Sequence, residues 1–251
     1  THRHGRGRVN AHGPRIMATR GGMTTRLLGR VAVVVAGGGE PAISAADLGD
    51  LGADPLVIAA DSGLEHAGRL GLAVALVVGD MDSVDPTALE AAARAGTPIA
   101  RHPEAKDATD LELALEAAMG ERPSRVVVIT GEGDRLDHAL AVALSVSSPR
   151  CAAARVEAWI GPAHLWVVRS EVALAGAPGD LVSLLPVHGP ARGVTTDGLL
   201  YPLADEDLEV GTSRGVSNEL VARSATVHVR SGVLLAVAPG SSGTHWARSR
   251  A

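Results

Sequence analysis

The segment Val31-Ala32-Val33-Val34-Val35-Ala36-Gly37-Gly38-Gly39 sets the architecture of the chain, because a short apolar run ends directly in a cluster of glycines. Such a run, rich in valine and bounded by turn residues, is typical of a strand that is covered on both faces of a sheet. Comparable runs lie at Leu56–Ala60, Ala75–Val78 and Arg125–Thr130, and a shorter strand is expected near Pro98–Arg101. These runs predict a parallel sheet.

Amphipathic stretches rich in alanine and leucine lie between these strands, as the helices of β-α units do. Asp85 is the expected N-cap of one of them, with Pro86 at its first position. The predicted helices are Leu64–Leu70, Thr87–Ala95, Thr109–Met119 and Asp137–Val146.

After about Ser148 helical periodicity is nearly absent, and short strands alternate with turns rich in Gly, Pro and Asp. The fold class that follows is an α/β domain with a parallel sheet, followed by a small all-β sandwich domain. The domains are predicted at residues 31–150 and 151–245, after a basic leader at residues 1–30. Strands are predicted at Glu157–Trp159, Leu165–Val168, Asp180–Leu185, Glu219–Val221, Thr226–Arg230 and Leu234–Val237.

Composition argues against several classes of protein. A single cysteine, Cys151, is incompatible with a disulfide scaffold within the chain and favours a cytoplasmic protein. No apolar stretch reaches the roughly 20 residues that cross a bilayer, so we expect no membrane contact. With no Phe, one Tyr and three Trp, the chain offers few rings on which bases of a nucleic acid would stack.

Charge is unevenly distributed along the chain. Residues 1–30 hold seven of the 23 basic residues and no acid, which leaves 16 basic against 28 acidic side chains in the remainder. We expect this leader to be a disordered extension, or the product of a start placed upstream of Met17 or Met23, rather than a transit peptide or a nucleic-acid arm.

Polar turns follow the predicted strands, and ligands bind at the carboxyl ends of such strands. Gly38 and its neighbouring glycines offer bare N–H groups to a phosphate, although a plain tight turn has the same sequence. Asp61-Ser62-Gly63 follows the second strand. Asp80 and Asp82 follow the third, and residues two apart in an extended segment point the same way, towards one cation such as Mg²⁺.

The segment Lys106-Asp107-Ala108-Thr109-Asp110-Leu111-Glu112 opens a predicted helix. Asp107 and Asp110 share one face of its first turn, where they face one ligand. Thr109 and Glu112 form a capping box, which by itself accounts for acids at a helix start. Capping does not account for Lys106, the chain's one lysine, which suits phosphate binding.

The fifth strand ends in Gly131-Glu132-Gly133-Asp134-Arg135-Leu136-Asp137-His138. Arg135 suits bidentate binding of phosphate oxygens. Asp137 and His138 lie at a helix start, where an N-cap beside a solvated histidine is the alternative reading.

Taken together, these turns resemble those of the thiamine pyrophosphokinase family in order and spacing. The shared motifs are Asp-Ser-Gly, Gly-Asp-x-Asp-Ser, Lys-Asp-x-Thr-Asp-Leu-Glu and Gly-x-Gly-x-Arg-x-Asp-His. Two further matches, Gly198-Leu199-Leu200-Tyr201-Pro202-Leu203 and Ser217-Asn218-Glu219, lie in the predicted β domain. The resemblance covers about residues 31–239.

The resemblance implies transfer of pyrophosphate from ATP to the hydroxyethyl group of thiamine. It implies that Asp80, Asp82, Asp107 and Asp110 hold Mg²⁺, and that Thr109, Arg135, Asp137 and His138 surround ATP, alongside the turns at Gly38, Asp61–Gly63 and Lys106. It also implies a homodimer in which Ser217 and Asn218 bind thiamine for the partner's site. Residues 31–150 would then be the catalytic, ATP-binding domain, and residues 151–245 the domain for thiamine binding and dimerisation.

Three other functions stay open from the residues. A related pyrophosphokinase would act on another hydroxymethyl heterocycle, such as a pterin, by the same chemistry. A nucleotide or thiamine sensor would bind without turnover, although retention of the acids and Arg135 argues against it. A nucleic-acid binder with an arginine-rich arm conflicts with the acidic remainder of the chain.

Overall fold

We analysed a computed structural model that describes residues 29–103, 107–131 and 135–240. Helices and strands in this part of the chain form a mixed sheet with helices on both faces. Within the described residues no helix is long and apolar enough to cross a membrane. Most of residues 1–30, the predicted leader, lie outside the description.

The first six strands are parallel, as the apolar runs predict. Their spatial order is β4-β3-β2-β1-β5-β6. The strand predicted at Glu157–Trp159 is longer than expected and pairs with β5, so it extends the parallel sheet. The strands are β1 (Val31–Val35), β2 (Leu56–Ala60), β3 (Leu76–Gly79), β4 (Ile99–Arg101), β5 (Arg125–Thr130) and β6 (Arg155–Ile160).

Four helices cover the two faces of this sheet, each within a residue or two of its predicted bounds. Asp85 caps the second helix by accepting hydrogen bonds from Thr87 N and Ala88 N, as predicted. The helices are α1 (Gly63–Arg69), α2 (Pro86–Arg94), α3 (Asp110–Gly120) and α4 (Leu136–Val146).

Alternate residues of β1 serve two separate cores, because successive side chains of a strand point to opposite faces. Ala32 and Val34 are fully buried in the core beneath α3 and α4. Val33 and Val35 are fully buried in the core beneath α1. This two-sided burial explains why the run that begins at Val31 contains no polar residue.

The remaining strands are antiparallel to their neighbours and enclose a core of their own. Strand β13 lies between β7 and β9, and β9 runs on to pair with β12 at its far end. The strands are β7 (Ala163–Val168), β8 (Glu171–Ala175), β9 (Leu181–Asp197), β10 (Glu206–Leu208), β11 (Asn218–Glu219), β12 (Ser224–His228) and β13 (Ser231–Ala238).

Strand β9 is far longer than the strand predicted at Asp180–Leu185. It continues through Pro186, Gly189 and Gly193, residues that ordinarily end a strand. His188, Gly189 and Gly193 have φ values of 60°, 130° and 63°, so the strand bends at these positions instead of ending.

The parallel and antiparallel parts are joined by the β6–β7 hairpin and share one continuous sheet. A polar cluster lies at this junction. Arg125 Nε donates to Glu157 Oε1 at 2.8 Å, and His164 Nε2 lies 3.3 Å from Glu157 Oε2. The His164 ring stacks on Trp159 and is tilted by 37° to Trp166, with 3.8 Å between ring centroids in each pair.

Candidate active site

Two tight turns bring the ends of β1 and β2 together at the carboxyl edge of the sheet. A Cβ atom on Gly63, the first residue of α1, would lie 2.0 Å from Val35 O, so only glycine allows this approach. Asp61 has a φ of 46°, a conformation that Asp tolerates better than most residues. The turn after β2 therefore packs against the glycines that follow β1, with Ser62 Oγ 2.5 Å from where a Cβ on Gly37 would lie.

A group of three carboxylates lies at this edge. Asp61, Asp80 and Asp82 each offer an oxygen, and these three atoms lie within 4.8 Å of one another. Met81 N donates to Asp61 Oδ1 at 3.1 Å, and Asp82 N donates to Asp80 Oδ1 at the same distance. A Cβ on Gly79 would lie 1.9 Å from Asp61 Oδ1, so the glycine that ends β3 makes room for this carboxylate.

Burial and neighbouring acids both favour the protonated form of Asp61. The pKa of Asp61 is raised from 3.8 to about 7 by burial, by a hydrogen bond with Asp110 and by the charges of Asp110 and Asp80. The hydrogen bond from Met81 N opposes the rise without cancelling it. Oxygen ligands of this kind suit a hard divalent cation, whose charge would offset the repulsion.

The start of α3 contributes Asp110 to the same site. The predicted capping box is present: Thr109 Oγ1 accepts from Glu112 N, and Glu112 Oε2 accepts from Thr109 N, both at 3.2 Å. Asp107 is exposed and does not belong to the group of three carboxylates found among the described residues. Lys106 lies outside the described residues.

The start of α4 places Arg135 and His138 at the cleft. Arg135 holds Asp137 with two hydrogen bonds, and both side chains are about two-thirds exposed. This contact lowers the pKa of the Asp137 carboxyl. Of the predicted motif here, Glu132, Gly133 and Asp134 lie outside the described residues.

These elements surround a cleft of about 800 Å³. Its floor is the glycine turn after β1, the turn after β2 and Gly131 after β5. One wall is apolar and comes from α4 and the end of β6. The lining includes Gly37, Gly38, Asp61, Ser62, Ser83, Thr109, Asp110, Thr130, Gly131, Arg135, His138, Val142, Leu144, Ile160 and Pro162.

Ser217 and Asn218 do not line this cleft. They lie in the antiparallel part, where Asn218 helps to line a separate small pocket. Asn218 is buried, and its side chain accepts from Tyr201 N at 3.0 Å and donates to Tyr201 O at 2.8 Å. The Asn218 amide therefore holds the Tyr201 backbone, while Ser217 is exposed.

Asp61 was assigned to the nucleotide, and its turn was expected to bring its carboxylate to the same edge of the sheet as Asp80 and Asp82, where it lies. Sequence reasoning missed part of the cleft lining. Ile160 and Pro162 were not predicted to line the cleft, because β6 was placed in the β domain. The Gly161-Pro162 turn after a buried strand was the signal available for them.

Family models match both parts of the chain. The model described as "Thiamin pyrophosphokinase, catalytic domain" matches residues 51–157. The model described as "Thiamin pyrophosphokinase, vitamin B1 binding domain" matches residues 169–234. A search of curated proteins returned no significant match.

Solved structures share the fold. The thiamine pyrophosphokinase from Bacillus subtilis is 21% identical with a TM-score of 0.69, and the alignment covers 84% of this chain and 99% of that one. The thiamin pyrophosphokinase from Geobacillus thermodenitrificans is 23% identical with a TM-score of 0.69, covering 85% and 99%. The enzyme from Candida albicans is 13% identical with a TM-score of 0.64, covering 82% and 89%. Because the two domain models together match more than half of its length, the chain belongs to the thiamin pyrophosphokinase family, a family of enzymes.

Proposed function

We propose that this protein transfers pyrophosphate from ATP to the hydroxyethyl group of thiamine, giving thiamine diphosphate and AMP, with Mg²⁺ as cofactor. The observation that carries the proposal is the carboxylate group of Asp61, Asp80 and Asp82, whose member Asp61 lines the cleft together with Gly38 and Arg135. Family membership supports the reaction class. The carboxyl edge of a parallel sheet is also where nucleotides bind in open α/β folds.

The donor set fits Mg²⁺. Asp61, Asp80 and Asp82 supply oxygen ligands, and Asp110 adjoins Asp61. Burial, and to a lesser extent the charges of Asp110 and Asp80, raise the pKa of Asp61, and a bound cation would favour its ionised form. We propose these four residues as the site that holds the ion; Asp107, which the resemblance adds to the ligands, is exposed at the turn before α3. Bound there, Mg²⁺ would neutralise charge on the phosphate oxygens of ATP.

Pyrophosphate transfer depends on positioning and on charge neutralisation more than on a covalent nucleophile. Arg135 is proposed to bind phosphate oxygens through its planar fork. Thr109 and His138 line the cleft beside it and are proposed to contact the nucleotide. Gly38 and Ser62 line the cleft and are proposed to contact the triphosphate, while Gly63 packs beneath them against Val35 O.

Thiamine binding is proposed to require a second copy of the chain. Ser217 and Asn218 lie away from the cleft of their own chain, so a site built from both regions is incomplete in a single chain. Leu136, Leu140 and Leu144 on α4 are between 50% and 71% exposed beside the cleft. Such an apolar stripe at i, i+4 spacing suits burial against a partner.

This arrangement gives the two parts of the chain separate roles. The α/β part, predicted at residues 31–150, would bind ATP and Mg²⁺. The β part, predicted at residues 151–245, would supply thiamine contacts to a partner and form the dimer. We also propose a cytoplasmic location, as expected for a biosynthetic enzyme with one buried cysteine.

The test is a turnover assay of purified protein with Mg²⁺, ATP and thiamine, in which chromatography separates AMP from ADP and follows thiamine diphosphate. Equal amounts of AMP and thiamine diphosphate are expected, and EDTA should abolish both. AMP formed only with a pterin alcohol would transfer the assignment to that substrate. ATP binding without turnover would contradict the enzyme assignment and favour a sensor.

The proposed dimer has its own test. Asp82→Asn and Ser217→Arg variants should each lose most of the activity, because each damages a different half of the shared site. Mixed after partial unfolding and refolding together, they should regain activity through heterodimers with one intact site. A mixture that stays inactive while light scattering shows dimers would contradict the shared site.

A further inference from the structure

His66 is a buried, titratable side chain with no role in the chemistry above. It lies on α1 and is 5% exposed. Its Nε2 atom lies 3.2 Å from Gly38 O, in the glycine turn that lines the cleft. Its Nδ1 atom lies 3.2 Å from Nη1 of Arg69, one helical turn further along α1.

The two partners of the ring match one tautomer. A carbonyl oxygen only accepts hydrogen bonds, so Nε2 is the nitrogen that donates to Gly38 O. A guanidinium only donates, so Nδ1 is the nitrogen that accepts from Arg69. The tautomer with its proton on Nε2 therefore satisfies both hydrogen bonds.

Arg69 is itself oriented from the far side of the glycine turn. Its Nη1 atom lies 3.5 Å from Glu40 Oε1, and Glu40 follows the glycines directly. A chain of contacts thus runs from Glu40 through Arg69 and His66 to Gly38. Both ends of this chain lie in the segment 38–40.

The glycine turn is confined on two other sides. A Cβ atom on Gly37 would lie 2.5 Å from Ser62 Oγ, and one on Gly131 would lie 1.4 Å from Gly39 O. Gly38 itself has a φ of 114°, in the region that favours glycine. Contacts on both sides fix the position of the turn, and the hydrogen bond from His66 fixes the orientation of its central peptide.

We propose that His66 is a positioning residue for nucleotide binding, which sets the peptide between Gly38 and Gly39 for the phosphates of ATP. A trans peptide is planar, with its C=O and N–H on opposite sides. Because His66 holds Gly38 O against α1, the N–H of Gly39 points away from α1. His66 does not compete for this N–H group, which can donate to a phosphate oxygen. This inference rests on the proposed function, because it assumes a nucleotide in the cleft.

The test compares three substitutions by calorimetric binding of ATP and by steady-state kinetics. His66→Leu removes both hydrogen bonds at similar volume and should weaken ATP binding about tenfold. His66→Gln should restore most of the affinity, because its Nε2 donates and its Oε1 accepts as the ring does. His228→Leu, at an exposed histidine on β12, is the matched control and should bind ATP normally.

A positioning role for His66 predicts a change in the KM for one substrate and not the other. The KM for ATP should rise in His66→Leu while the KM for thiamine stays unchanged, which general loosening of the fold would not produce. If His66→Leu does not fold, Arg69→Met serves instead and should weaken ATP binding less, with the same selectivity between substrates.

Three results would overturn the proposal. The first is normal ATP affinity in His66→Leu, and the second is a His66→Gln variant as weak as His66→Leu despite a normal melting temperature. In both cases wild-type turnover would leave the proposed function intact. The third is wild-type protein that binds no ATP, which would overturn the proposed function together with this inference.

Discussion

Arg135 and Asp137 form a two-pronged ion pair across the first turn of α4, with 3.2 Å between Nε and Oδ1 and 2.6 Å between Nη2 and Oδ2. The pair holds the guanidinium plane at the mouth of the cleft. Both groups are well exposed, so the pair contributes little to stability and its effect is on orientation.

We expect Arg135→Lys to raise the KM for ATP about tenfold, because an ammonium keeps the charge but loses the planar fork. Steady-state kinetics with varied ATP measure this change. Arg94→Lys, on the exposed face of α2, is a matched control and should behave as wild type. Equal KM values for ATP in Arg135→Lys and wild type would show that Arg135 does not bind the phosphates.

Asp82→Asn should lower kcat/KM by about 10² to 10³, the loss typical of removing a preorganised electrostatic group. Its carboxylate lies with Asp61 and Asp80, whereas Asp54 is an exposed acid remote from the cleft. Asp54→Asn is therefore the control. A normal rate in Asp82→Asn at ordinary magnesium concentration would exclude this carboxylate from the metal site.

Asp61→Asn should stabilise the metal-free protein at pH 8. With a pKa of about 7 in place of 3.8, the folded state holds a proton on Asp61 that the unfolded state has released. The stabilisation linked to this proton is therefore lost as the pH rises from 3.8 to about 7. Asn removes the repulsion, keeps an acceptor for Met81 N and tolerates the positive φ.

Thermal melts with EDTA and with Mg²⁺ check this expectation. Wild type should gain more from Mg²⁺ than Asp61→Asn does, because only wild type has the full charge to neutralise. If Asp61→Asn melts below wild type in EDTA at pH 8, then the charge of Asp61 does not destabilise the metal-free fold.

His164 should make stability fall on acidification. Burial between Trp159 and Trp166 lowers the pKa of its imidazole below the ordinary 6.5, while Glu157 opposes this. The unfolded state therefore takes up a proton first, and stability present above pH 6.5 is lost as the pH falls towards the folded value. Denaturant unfolding at several pH values should show a weaker dependence in His164→Gln. An unchanged pH dependence would exclude His164 as its source.

Much of the parallel sheet could be predicted because burial on two faces leaves a clear pattern. The strand at Leu56–Ala60 is predicted to the residue, since a fully buried strand tolerates no polar position. Helix caps could also be predicted: Asp85 and Thr109 are the N-caps of α2 and α3, as their sequence contexts indicate. These are local rules, and local sequence is sufficient for them.

What sequence could not give depends on contacts between distant segments. Strand β8 (Glu171–Ala175) was missed because it lies at an edge with one face exposed. The hydrogen bonds between Asn218 and the Tyr201 backbone follow from the return of the chain across β9. The spacing of residues along the chain does not determine such long-range contacts.

The position of β13 between β7 and β9 has a consequence for biosynthesis. Both neighbours are synthesised long before Ser231–Ala238, so on the ribosome each has an unpaired edge until β13 arrives. The parallel strands β1 to β6 pair with one another and do not wait for it. Folding during translation should therefore complete the cleft first, and a ribosome stalled before residue 231 would display a chain whose second half is still open to aggregation.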